Sequence, residues 1–166
     1  MKLDARSSGY LRALVALAAC DSLSFLDHLF RDVRVPLAVL RECTVPGKPE
    51  AERLDAYLRT RVVEIDLQDF VIAVAGLGRG ELEAMALYKH LHADRLLVDD
   101  HRARKVARLN GIEVIGSLGV LLRAKESGLV PEIRPLVVAI QAAGVHFGEQ
   151  LVDEALRMAG ERGVPS

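Results

Sequence analysis

The sequence predicts an α/β fold, with a central parallel sheet and helices on both of its faces. Three observations predict it. Short apolar runs at Val33 to Pro36, Arg61 to Ile65, Arg95 to Val98 and Ile112 to Ile115 alternate with longer segments of helical periodicity. The runs are continuously apolar and rich in branched side chains, the pattern of strands covered on both faces and therefore paired in parallel. About 17 residues separate Arg95 from Ile112, enough for one short crossover helix between neighbouring strands.

Each element has its own signal. Met1 to Ala5 reads as a short first strand. Ser8 is placed to cap a helix carrying Leu11, Leu14, Val15 and Ala18 on one face. A second helical piece starts at Asp21 or Ser22 and runs to Phe30. Pro36 stops the strand that begins at Val33, and a helix follows from Leu37 to Cys43. Thr44 to Pro49 is a Pro/Gly loop, Glu50 to Arg59 a helix, and residues 68 to 77 are apolar and fit either state. Arg79 to His92 is helical, with Leu82, Ala86 and Lys89 along it. Arg102 to Leu109 is a basic helix ended by Asn110-Gly111, a usual C-terminal stop. Gly116-Ser117 opens the helix Leu118 to Ser127, which Gly128 ends. Helices follow near Arg134 to Ala143 and Glu149 to Ala159, and the tail from Gly160 to Ser166 is expected to fray.

The 166 residues make a single domain over residues 1–160, with 161–166 as a tail. A chain of this size buries roughly 70% of its unfolded surface and needs no disulfide or structural zinc. Tryptophan is absent and aromatic residues make up 4%, so the core must be aliphatic. A net charge of −1 gives no global field for nucleic acid or an acidic membrane, and any nucleic-acid contact must use a local patch. Cys20 and Cys43 form neither a CxxC nor a disulfide ladder, which reads as free thiols in a reducing cytoplasm. Leu17-Ala18-Ala19-Cys20 has the look of a lipoprotein cleavage box. The apolar stretch before it, Ala13 to Ala19, is at the lower limit of a signal core, and Asp4 lies in the charged region ahead of it. No run reaches the length of a membrane span.

The chemistry-bearing residues concentrate in the second half. The strand Arg95 to Val98 ends in Asp99 and Asp100, at the carboxyl end of a strand, where open α/β sheets place their ligands. One of the two is expected to cap the next helix. Glu81 and Glu83 open the helix before that strand; two residues apart, they point about 200° from one another, so one of them can face a shared site. First-turn acids also suit the helix dipole whatever else they do. Asp4 and Glu42 lie near the other strand ends. Carboxylates converging on one sheet edge are hard oxygen ligands for Mg²⁺ or Mn²⁺, ions that activate water for phosphodiester displacement. The helix His101 to Arg108 places Arg104 and Arg108 as i, i+4 neighbours with Lys105 beside them, a patch for a phosphate backbone or simply a solvated face. His28, His90, His92, His101 and His146 show no zinc-like spacing. Gly76 to Gly80 lacks the pattern of a phosphate loop.

The stretches Gly80 to Leu87, Ala93 to Asp100, Arg104 to Ala107 and Gly111 to Lys125 resemble the PIN-like proteins of the DUF3368 family. The resemblance extends over roughly residues 10 to 160, more loosely in the first half through Leu17-Ala18, Phe25-Leu26 and Val35-Pro36 with Glu42. It implies a PIN-like three-layer sandwich and a metal-dependent nuclease. Many PIN proteins are ribonuclease toxins held by a small antitoxin, and many dimerise.

Carried over, Glu42, Glu81 (rival Glu83) and Asp99 (rival Asp100) match three of the family's four acids, and Ser117 stands at its small hydroxyl position. The first acid is the departure. Asp4 fills it only with an insertion of about six residues, whereas ungapped counting back from Leu17-Ala18 places Tyr10 there. The expectation is therefore a cytoplasmic Mg²⁺- or Mn²⁺-dependent ribonuclease. Asp4, Glu42, Glu81 and Asp99 would be its acids, Asp100 a further ligand, and Arg104, Lys105 and Ser117 would hold RNA. The alternative is a PIN scaffold that binds nucleic acid or protein without cutting.

Overall fold

A computed structural model describes residues 9–69 and 77–161. The first strand expected at Met1 to Ala5, Asp4 with it, lies outside the described residues, as do residues 70–76 of the ambiguous stretch.

The helices come where the periodicity puts them. Helix α1 spans Gly9–Ala19 and is buried on almost every side, because its face of Leu11, Leu14 and Leu17 is backed by the small Ala13, Ala16 and Ala18. It ends at Asp21, whose φ of 54° is left-handed. The Ser22 hydroxyl donates to the Cys20 carbonyl at 3.0 Å inside this turn, so α2 starts only at Ser24 and runs Ser24–Leu29. Strand β1, Val35–Pro36, passes directly into α3, Leu37–Cys43. Proline suits that junction, since it holds an extended backbone and lacks the N–H that a helix start would leave orphaned. Then come α4 (Ala51–Leu58), β2 (Val62–Val63), a single 3₁₀ turn (Leu67–Asp69) and α5 (Arg79–Leu91). The rest is β3 (Leu96–Leu97), α6 (His101–Leu109), β4 (Val114–Ile115), α7 (Ser117–Glu126), α8 (Arg134–Ala142) and α9 (Glu149–Met158).

The strand expectation is corrected in extent. All four described strands pair in parallel, as expected, but each has two residues. They form two pairs, Val35↔Val62 with Pro36↔Val63, and Leu96↔Val114 with Leu97↔Ile115. Helices cut them short: α3 starts immediately after Pro36, and α7 starts two residues past Ile115. Among the described residues the two pairs are not joined into one central sheet. An apolar cleft of about 300 Å³ is lined by Val35 and Pro36 of one pair, Leu96 and Leu97 of the other, and Tyr10 and Leu14 of α1.

The core is aliphatic, as the composition requires. Leu17, Leu54, Leu58, Met85, Leu121, Ile133 and Ile140 are essentially fully buried. Each such side chain contributes about 1.5–3 kcal/mol by leaving water. Both cysteines are buried free thiols, and burial with the neighbouring Glu42 pushes the Cys43 thiol up to about 12. No helix among the described residues is long and apolar enough to cross a membrane.

Glu161, the last described residue, is held by contacts to the start of α8. The Glu161 carboxylate accepts the Ile133 N–H at 2.8 and 3.1 Å, and its carbonyl accepts Arg134 Nη2 at 2.8 Å. Sequence pattern places this residue in a frayed tail because its partners are almost thirty positions away.

Candidate functional site

Of the acids that pattern picks out, Glu81 and Asp99 both bond to the main chain of Gly9, and Asp4 lies outside the described residues. Glu81 sits at the third position of α5. Its Oε2 accepts the N–H of the capping residue Gly78 at 2.9 Å, and its Oε1 accepts the N–H of Gly9 at 2.9 Å. One carboxylate thus ties the starts of α5 and α1 together, and it is 7% exposed. The Gly9 carbonyl in turn accepts the Asp99 N–H at 3.2 Å.

Asp99 follows β3 by two residues. Its Oδ1 accepts the Ser117 N–H at 2.7 Å and its Oδ2 accepts the Ser117 hydroxyl at 2.6 Å. Burial pushes this carboxyl above the usual carboxylate range; the two Ser117 bonds and the guanidinium groups of Arg12 and Arg104 oppose the shift. Ser117, expected to touch substrate, is fully buried and gives its hydroxyl to Asp99.

The two rival pairs separate clearly. Asp100 is the N-cap of α6, its Oδ1 accepting the Ala103 N–H at 2.8 Å, so the cap expected from this pair is Asp100. Glu83 is 5% exposed and faces another neighbour. Its Oε2 accepts the Ala38 N–H at 3.3 Å at the start of α3, and its Oε1 accepts Arg79 Nε at 2.7 Å. The 200° separation therefore sends Glu81 toward α1 and Glu83 toward α3, and both are buried.

Three glycines make room for the carboxylates, a feature that motif reading missed. A Cβ on Gly80 would lie 2.7 Å from Glu42 Oε1, one on Gly116 would lie 2.8 Å from Asp99 Oδ1, and one on Gly9 would lie 2.6 Å from Asp100 Cβ. Each Cβ would force a shift, of a carboxylate end at Gly80 and Gly116 and of the more firmly held Asp100 Cβ at Gly9. The available signal was a glycine one or two residues from a candidate acid or its partner, as in Gly80-Glu81 and Gly116-Ser117.

The basic residues divide as well. Lys105 and Arg108 stand exposed on the outer side of α6. Arg104 turns inward toward Asp99 and Gly116, and its Nε is buried with no hydrogen-bond partner among the described residues. Arg12, which motif reading did not single out, donates to the His146 carbonyl from α1 and acts on Asp99.

An ion held by carboxylates needs several of them aimed at one point. Here both oxygens of Glu81, Glu83 and Asp99 accept from protein donors. Two guanidinium groups act on Asp99. No group of three or more His, Cys, Asp or Glu residues among the described residues is arranged to hold a metal ion. Among the described residues, which leave out Asp4, Glu81, Glu83 and Asp99 are placed as acceptors for protein donors and form no such group.

A mixed α/β molecule, mostly helical, with acids gathered at the ends of short parallel strands is the arrangement of a PIN-type domain. The chain belongs to the DUF3368 family, a PIN domain family, whose model matches residues 12–161. Family membership points to a nuclease-type fold, and PIN domains generally use divalent metals. The matched span begins beyond both Asp4 and Tyr10, so the first acid position falls outside it. No curated protein and no solved structure matches the chain.

Proposed function

We propose that this protein is a PIN-family nucleic-acid-binding domain that holds RNA without cutting it. Its acidic edge, in this reading, is a structural latch. One observation carries the proposal: the oxygens of Glu81 and Asp99, the acids nearest the Gly9 hub, are already engaged by protein donors. Lys105 and Arg108 on the outer side of α6 supply the phosphate contacts, which position a backbone without reading its sequence. The proposal includes a three-layer sandwich, a cytoplasmic setting and RNA as partner. The test is an electrophoretic mobility shift in EDTA. Retardation of single-stranded or structured RNA that weakens steeply with salt is the expected result. No retardation at low salt across varied RNAs contradicts it.

The second reading is a Mg²⁺- or Mn²⁺-dependent ribonuclease, the toxin of a toxin–antitoxin pair, binding a small antitoxin and forming a homodimer. Family membership favours it, as do the bonds of Glu81 and Asp99 to the main chain of Gly9 and the place of Glu42 against Gly80. In that reading Asp4 or a substitute supplies the first acid. RNA cleavage that requires added Mn²⁺ would establish it.

A further inference from the structure

We propose that the apolar cleft between the two strand pairs takes up one unstacked base of a single-stranded RNA, whose neighbouring phosphates rest on Arg31 and Arg95. The proposal rests on the RNA-binding reading above and gives it a second point of contact. At about 300 Å³ the cleft stands at the lower limit of small-molecule sites, roughly 300–1,000 Å³, and one planar ring system suits it better than a longer ligand. Two half-buried aromatic side chains line it, Phe30 from the end of α2 and Tyr88 from α5. The Tyr88 hydroxyl accepts the Glu113 N–H at 3.3 Å, which ties the ring to the residue before β4. Leu91, also in the lining, is a large apolar side chain left 42% exposed. Tyr10 belongs to the same lining, and its buried hydroxyl has no hydrogen-bond partner among the described residues. An acceptor on a base edge would relieve that donor. Aromatic faces stack on any base, so the contact tolerates sequence.

Charge around the cleft selects a nucleotide over a neutral apolar ligand. Arg31 and Arg34 lie just ahead of β1 and Arg95 directly ahead of β3; all three are exposed and line the cleft. The carboxylates beside them are Asp32 and Asp94. Asp32 pairs with Arg34 at 2.8 Å. Arg95 donates to the Asp94 carbonyl at 2.8 Å, and among the described residues neither Arg31 nor Arg95 has a carboxylate partner. Topology joins these cations to α6. Strands β3 and β4 are parallel and α6 is their crossover, so α6 ends at the end of the pair where β3 begins. Arg108, in the last turn of α6, therefore stands at the same end as Arg95. A backbone held on α6 continues toward the cleft. A base in a duplex is paired and stacked, whereas an unpaired one is free to turn out onto an aromatic wall.

The experiment measures RNA retardation in EDTA with two probes, an unstructured single strand and the same backbone carrying abasic residues. The parent should bind the base-bearing strand about tenfold or more tightly than the abasic one. Ala93→Trp, which fills part of the cleft from its lining, should remove that preference. Arg31→Gln with Arg95→Gln should weaken both strands and lower the salt slope by about 2. Equal binding of the two strands by the parent overturns the proposal and leaves the RNA-binding reading standing, as does a folded Ala93→Trp that keeps the preference. Retardation of neither strand overturns both. Should Ala93→Trp not fold, the Leu97 and Ile115 amides of the parent decide: shifts with the base-bearing strand alone support the proposal, and their absence overturns it.

Discussion

The acidic edge and the outer side of α6 carry opposite charges and are built on opposite terms. At the edge Glu81, Asp99 and Asp100 are each tied to a donor. Glu81 joins two helix starts, Asp99 takes two bonds from Ser117, and Asp100 caps α6. On the outer side of α6, Lys105 and Arg108 stand in solvent. A buried carboxylate with its donors in place is part of the fold, and removing it strands buried N–H groups. A solvated cation costs the fold nothing to lose and remains available to a partner. Charge alone therefore does not mark function here: Glu81, Asp99 and Asp100 serve the fold, and Lys105 and Arg108 face solvent.

This contrast breaks most easily at Glu81. Glu81→Ala should lower stability by about 3–5 kcal/mol, since it removes two hydrogen bonds to a charged acceptor and leaves two N–H groups unpaired. Urea unfolding checks this. Gly9→Ala should cost about 1–3 kcal/mol by overpacking, because the new Cβ meets Asp100 Cβ at 2.6 Å and Val98 Cγ2 at 2.8 Å. A neutral Gly9→Ala would mean that the hub is looser than described.

A third test uses pH. Burial raises the Asp99 carboxyl above its unfolded value, so the folded protein holds that proton more tightly. The stability this contributes is full below the unfolded value and is lost as pH rises through the folded one. Asp99→Asn should therefore flatten the fall in melting temperature over the stretch that begins in the ordinary carboxylate range and extends upward. An unchanged pH profile would remove Asp99 as the group responsible. The smallest structural effect belongs to α6. Lys105→Glu with Arg108→Glu should change stability by less than about 0.5 kcal/mol. The same pair should reduce the salt slope of RNA binding by about 2, one for each lost phosphate contact, as filter binding would show.

What the sequence disclosed follows from the range of the forces involved. Helix positions were legible because amphipathic periodicity and stop signals are local: the stripe at Leu11, Leu14 and Ala18, Gly111 after α6, and Gly128 after α7. That one of Asp99 and Asp100 would be a cap was legible for the same reason. Strand lengths were not, since apolar runs do not reveal where pairing stops and a helix takes over.

At the site, the identity of the acids was readable but their partners were not. Ser117 reaches Asp99 across 18 positions and Glu81 reaches Gly9 across 72, contacts that only packing creates. Helical geometry separates Glu81 from Glu83 correctly. It gives no hint that α3 waits on the other side to bury Glu83 too. The burial of Tyr10 and its hydroxyl, without a hydrogen-bond partner among the described residues, were not readable either.

The most direct test of the latch account is an RNA cleavage assay of the purified protein with Mn²⁺, with EDTA and with Asp99→Asn. The account predicts RNA that is bound and uncut under all three conditions. Cleavage that appears with Mn²⁺, disappears with EDTA and is lost in Asp99→Asn would contradict it and identify the acidic edge as a working metal centre.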